Sequence, residues 1–241
     1  MKLALLSDGT SIASQQAIAA VVASLSIAEK QAGVVYIASE PDAQRSYFSP
    51  VAAMFKGLGF DKVSYIDLED GYTTESEHML RQAGLVYLSG GDTYRFLYWL
   101  KQRGVDKLLY QLAQGDMSQD APVIDRLGID RPVKHSAGRS TAIIGISAGA
   151  MIMTSSIDSA PLCGDTNQVG LVDTSALALV PFLYVPHISP TDIDDTQSQA
   201  QFKSLSLAKQ QALLCCSDND AVVLINNQLT EFGAPTWINR S

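Results

Sequence analysis

Positive charge is scarce in this sequence and nowhere gathered. Its 241 residues hold 17 Lys and Arg against 25 Asp and Glu, a net charge of −8, and no basic cluster exceeds two or three residues. Binding to a nucleic-acid backbone or an anionic membrane surface needs a basic patch, so neither is expected as a partner. Cysteine is also sparse. Cys163, Cys215 and Cys216 provide no disulfide framework, and their spacing fits no zinc site, so no metal or cofactor is expected. Long apolar runs are missing as well. Met1–Leu6 meets Ser7-Asp8-Gly9 too soon for a signal-peptide core and reads as a first strand. The Ala-rich segment 17–28 runs on into Glu29-Lys30, as an amphipathic helix does. A cytoplasmic protein is the expectation.

Hydrophobic residues make up 46% of the chain and charged residues 17%, a globular balance. The length suits one α/β domain over 1–241 with a sizeable core. Short β-prone runs fall at 3–6, 33–38, 62–66, 85–88, 142–146 and 221–225, a further apolar strand ends at Pro186, and 229–238 reads as a final hairpin. Helix-like stretches cover about 14–29, 49–58, 76–83, 94–102, 105–113 and 197–214. This alternation predicts a mostly parallel sheet covered by helices on both faces, a three-layer α/β/α sandwich. In such folds, functional groups gather at the carboxyl edge of the sheet. The stretch 115–141 has neither period and is expected to be an irregular, tolerated insertion.

The run Ile143-Ile144-Gly145-Ile146-Ser147-Ala148-Gly149-Ala150 leads from a β-prone segment into the helix-like Met151-Ile152-Met153. Ser147 between glycines two positions away on each side has the pattern of a nucleophile elbow. That sharp strand-to-helix turn exposes the hydroxyl and aims backbone N–H groups at a developing oxyanion. A serine nucleophile needs a base, and there are three histidines. His78 sits in a helical approach to a strand, and His135 lies in the irregular stretch among Arg131, Lys134 and Arg139. His187 follows the strand ending at Pro186, which favours it over a structural histidine role. The orienting acid stays open: Asp218 and Asp220 precede the last long strand, while Asp158, Asp165, Asp192, Asp194 and Asp195 are also available. Ser89-Gly90-Gly91-Asp92-Thr93 ends another strand. Its glycines permit close backbone approach to a substrate, and Asp92 or Thr93 suits a helix cap.

In this order the pieces resemble peptidase family S51, the dipeptidase E and cyanophycinase group with a class I glutamine amidotransferase-like fold. The matching residues are Gly90-Gly91-Asp92-Thr93, Gly145–Ala150 and Pro186-His187. The resemblance implies Ser147 as nucleophile, His187 as general base and acid, and the N–H groups of Gly91 and Ala148 as the oxyanion hole. Gly90, Asp92 and Thr93 would help bind substrate. Where the family carries a late Glu, this chain has Asp218, one methylene shorter. The aspartyl dipeptidases place an arginine in the helix after the histidine, whereas 197–214 holds only Lys203 and Lys209. A lysine is no bidentate carboxylate clamp, so a preference for N-terminal Asp does not carry over.

The expected function is therefore serine-type hydrolysis of short peptides, by a monomer or homodimer. An esterase using the same elbow serine is one alternative, although no histidine follows His187. A non-catalytic amidotransferase-like binding module is the other.

Overall fold

The computed structural model describes residues 1–115 and 140–239. Strands β1 (Lys2–Leu6), β2 (Val34–Ala38), β3 (Val63–Asp67), β4 (Leu85–Leu88) and β5 (Ala142–Ile146) lie parallel to one another. Later in the chain, β8 (Ala221–Ile225) and β9 (Gln228–Phe232) extend this sheet with antiparallel pairings. The strand order is β3-β2-β4-β5-β1-β8-β9. The reversal between β4, β5 and β1 opens a crevice at the carboxyl edge, the usual ligand position in open α/β sheets.

Period-2 alternation divides the apolar residues between two cores. Ala4 and Leu6 of β1, Tyr36 of β2 and Ile144 of β5 pack against α1 (Ile12–Ala23) and α3 (Phe48–Gly57). Leu3, Leu5, Ile37 and Ile143 pack on the other side, against α5 (Thr93–Gln102), α6 (Val105–Gln114) and the short α7 (Ala148–Ile152). These two covered faces make the expected three layers. Between α1 and α3 lies α2 (Ile27–Ala32), and α4 (Thr74–Gln82) follows β3.

A second sheet, β10-β7-β6, is built from β6 (Phe182–Val185), β7 (Ala212–Cys215) and β10 (Thr236–Ile238). One face, with Phe182, Tyr184 and Leu214, joins the core of the main sheet. The other face, with Leu183, Val185 and Leu213, meets Phe202 of α9 (Thr196–Lys209), which follows the short α8 (Pro190–Asp194).

Three sequence expectations change. The helix-like segment 14–29 is two helices, because Ser26 starts α2 with a capping box to Glu29. The helix expected over 197–214 stops at Lys209, where Gln210 turns left-handed (φ 53°) and releases β7. The hairpin read at 229–238 is not one, because β9 pairs with β8 while β10 pairs with β7. The insertion expected at 115–141, with His135, lies outside the described residues over 116–139.

Candidate active site

The site is assembled from five strand ends, those of β1, β4, β5, β6 and β7. Ser147 directly follows β5 and holds φ 51°, ψ −113°, in backbone space that a non-glycine residue rarely occupies. Its N–H donates to the Leu6 carbonyl (2.8 Å), which pins the elbow to the neighbouring β1. The flanking glycines are steric requirements. A Cβ on Gly145 would lie 2.4 Å from the Gly149 carbonyl oxygen, and one on Gly149 would lie 2.4 Å from the Leu88 oxygen. Small residues here let α7 start hard against β4 and β5, which holds the Ser147 hydroxyl at the crest of the turn.

His187 comes from the end of β6. That strand pairs in parallel with β7, and the pairing continues past both ends: the Cys216 N–H donates to Val185 O (2.9 Å) and the Ile188 N–H to Cys216 O (3.0 Å). The loops leaving the two strands therefore run side by side and deliver His187 and Asp218 together. Ser147 Oγ lies 2.8 Å from His187 Nε2, and Asp218 Oδ1 lies 2.6 Å from His187 Nδ1. A carboxylate only accepts, so Nδ1 carries the proton and Nε2 is left to accept from the serine hydroxyl. The Asp side chain spans the gap despite being one methylene shorter than a glutamate. His187 and Asp218 side chains are 46% and 61% exposed, so this relay faces solvent.

The other carboxylates have different partners. Asp220 is buried and accepts from Ser217 N–H (2.7 Å) and Ala234 N–H (2.6 Å), holding its own loop. Asp158 pairs with Lys209, Asp165 accepts from Thr93, and Asp192 and Asp195 cap α8 and α9. His78 sits on α4 against Gln82.

At the end of β4, Ser39 Oγ donates to the Gly90 carbonyl (2.6 Å). A Cβ on Gly91 (φ 134°) would lie 2.2 Å from that same oxygen of Ser39. Only glycine therefore fits at position 91, and the Ser39 bond to the Gly90 carbonyl fixes the local chain direction. A Cβ on Gly90 would be 3.4 Å from Ser147 Cβ, so the two turns touch. Among the described residues, no hydrogen-bond acceptor engages the N–H of Gly91 or Ala148. Asp92 caps α5 by accepting from Arg95 N–H (2.9 Å), and Thr93 is fully buried on Asp165. Of the three residues expected to help bind substrate, Gly90 lines the cavity of about 540 Å³ beside the elbow, and Asp92 and Thr93 do not.

Sequence reasoning passed over Ser7. Fully buried, it follows β1, and its hydroxyl accepts from His187 N–H (2.8 Å). The same hydroxyl lies 3.3 Å from Asp218 Oδ1 and 3.4 Å from Cys216 O, either of which can take its one proton. His187 has a left-handed backbone (φ 61°), and this bond is what anchors it. The available signal was position alone: Ser7 is the first polar residue past a strand at the edge where such groups gather.

Among the described residues, no group of three or more His, Cys, Asp or Glu is placed to hold a metal ion, and no helix is long and apolar enough to cross a membrane.

The family model described as peptidase family S51 matches residues 3–118 and 121–232. An uncharacterized peptidase of Pasteurella multocida (strain Pm70) is 27% identical over 168 residues, 69% of this chain and 67% of that protein. Among solved structures, a candidate peptidase E from Listeria monocytogenes EGD-e superposes with a TM-score of 0.63 at 20% identity, covering 95% of this chain and 96% of that one. A peptidase from an acI-B1 Actinobacterium superposes at 0.57 and 14% identity, covering 98% and 96%. At these identities the two structures speak for the fold.

Proposed function

Since the chain belongs to peptidase family S51, we propose that it hydrolyses short peptides through Ser147, His187 and Asp218. Ser147 Oγ attacks the scissile carbonyl carbon as its proton passes to His187 Nε2, and the new imidazolium is stabilised by Asp218. Negative charge develops on the carbonyl oxygen, and the N–H groups of Gly91 and Ala148 receive it. Nε2–H then protonates the departing amine. A water deprotonated by the same nitrogen attacks the acyl-enzyme and frees Ser147.

One observation carries this reading: the 2.8 Å contact between Ser147 Oγ and His187 Nε2, with Nδ1 held at 2.6 Å by a carboxylate. A binding module needs neither contact. Burial pushes the thiols of Cys163 and Cys215 up to about 12, which leaves them protonated and weakly nucleophilic near neutral pH. Free thiols also suit a reducing, cytoplasmic site of action.

A fluorophosphonate probe is expected to label Ser147 stoichiometrically, with labelling and dipeptide turnover both lost in Ser147→Ala. His187→Ala should lower kcat by about 10⁴-fold or more, because a base that works as a unit with its nucleophile is as costly to lose. Iodoacetamide should leave activity intact. A folded protein with an unreactive Ser147 and no turnover across a dipeptide panel would overturn the reading.

A further inference from the structure

The cavity beside the elbow reaches well past what positioning a scissile bond requires. It opens between the ends of β1, β2 and β4 and the start of α3, with Tyr36, Tyr87, Val51, Met54 and Ile146 among its walls. A volume of about 540 Å³ is in the range of small-molecule pockets. Tyr36 and Tyr87 stack with ring centroids 5.6 Å apart, and burial pushes the Tyr36 phenol up to about 12 despite its bond to Ser89. Tyr87 is shifted upward for the same reason, so both rings stay neutral.

Charge within the cavity is of one sign. Asp8, Glu40 and Asp42 line it, and no Lys or Arg does so among the described residues. Glu40 has Arg95 at 3.7 Å, and Asp42 accepts from Tyr47 N–H (3.0 Å). Asp8, like Asp42, pairs with no cation among the described residues. Burial alone would raise its carboxyl, yet the Thr10 hydroxyl and the N–H groups of Thr10, Ser11 and Gly9 together hold it below the usual range. Its partners are neutral donors, the Thr10 N–H (2.7 Å) and hydroxyl among them, so no neighbouring cation cancels its charge.

Asp8 also stands at the catalytic end of the cavity. The residue before it is Ser7, bonded to His187 N–H. A Cβ on the residue after it, Gly9, would lie 2.9 Å from Ile146 Cδ1, next to the nucleophile. At the N-terminal residue of a peptide, the ammonium, the side chain and the carbonyl carbon share one Cα, each about 1.5 Å from it. With that carbonyl at Ser147, the ammonium and the side chain both stay within a few ångströms of the elbow, which this cavity adjoins through Gly90 and Ile146.

Resting on the peptidase reading, we propose that this cavity receives the side chain of the substrate's N-terminal residue, that it selects a large apolar or aromatic one, and that Asp8 pairs with the free α-ammonium. The enzyme then acts on unblocked short peptides beginning with residues such as Phe, Tyr or Leu. An N-terminal Asp would bring its carboxylate among Asp8, Glu40 and Asp42 with no cation in the lining to receive it. Met54, long and flexible, lets the pocket fit several apolar shapes.

The experiment measures kcat/KM on dipeptides X-Leu with X = Phe, Tyr, Leu, Ala, Lys and Asp, and on N-acetyl-Phe-Leu, with fluorophosphonate labelling of Ser147 run in parallel. Phe, Tyr and Leu are expected to exceed Asp by about tenfold or more. N-acetylation should cost about tenfold or more, and Asp8→Asn should remove most of the gap between free and acetylated Phe-Leu. Met54→Trp, which fills the pocket, should turn the preference toward Ala-Leu. A best substrate with Asp or Lys first, or equal turnover of the acetylated peptide, overturns the assignment. No turnover of any member while Ser147 still labels overturns the pocket and leaves the nucleophile standing. Loss of labelling as well as turnover overturns the peptidase reading and the pocket with it.

Discussion

The acid against His187 is exposed, and that sets how much it can contribute. Asp218 is 61% accessible, so water screens its attraction for an imidazolium far more than a buried site would. Its main effect is to hold the ring and the proton on Nδ1. Asp218→Ala is therefore expected to lower kcat by about tenfold to a hundredfold, within the low end of acid–base contributions and well short of the loss in His187→Ala. Ser7 acts one step further out, on the backbone of His187. Ser7→Ala should reduce kcat by about tenfold with KM unchanged, since it misaligns the base without touching the substrate pocket. A fall in melting temperature with unaltered kcat would assign Ser7 to structure alone. Nothing in the order of residues marked Ser7 as part of this group. Its partners lie 180 and 211 positions away, and a serine after a strand has no local signature of that reach.

At the scale of elements, the elbow works because α7 begins in contact with two strands. Gly145 and Gly149 let that contact close, and the pattern G-x-S-x-G made it legible in the sequence. Gly149→Ala forces a methyl to within 2.4 Å of a β4 carbonyl, which only a shift of α7 relieves. We expect about 1–3 kcal/mol of destabilisation in denaturant unfolding, with slower fluorophosphonate labelling as Ser147 moves. Other boundaries were less legible. The N-cap Ser26 with Glu29 three residues on is a readable start signal, but its break was hidden inside an Ala-rich run of strong helix formers. The end of α9 carries Gln210 where a glycine commonly marks the stop, and Ala212–Leu214 is as compatible with helix as with strand. Pairing with β6 and β10 decides for strand.

For the molecule as a whole, pH acts on stability through carboxylates that the fold holds ionised. Burial raises Glu29 and Asp158, but the Lys2 and Lys209 ammoniums with neighbouring hydroxyls outweigh it, so both lie below their usual values. A group depressed in the folded state contributes stability that is present above its unfolded pKa, about 3.9–4.3, and lost as pH falls through the native value. The melting temperature should accordingly hold from pH 7 to about 5 and drop below about 4. Lys2→Met should flatten part of that drop and cost on the order of 1 kcal/mol at neutral pH. A melting temperature independent of pH between 5 and 3 would remove these pairs from the account. Lys2 and Glu29 tie the first strand to α2, and Lys209 and Asp158 tie the end of α9 to the loop after α7.

The sequence by itself determined the layered α/β architecture, the strand that carries Ser147 and the glycine turn that faces it, because periodicity and small-residue patterns are local. It also narrowed the candidate base to His187, the histidine that lies against Ser147. Only the tertiary structure decided which of seven aspartates lies against that histidine, that Ser7 joins them, and that the adjoining cavity is aromatic and acidic. Those facts depend on which strand ends become neighbours. β1 lies beside β5, and β6 beside β7, through pairings between distant segments whose order no local pattern encodes.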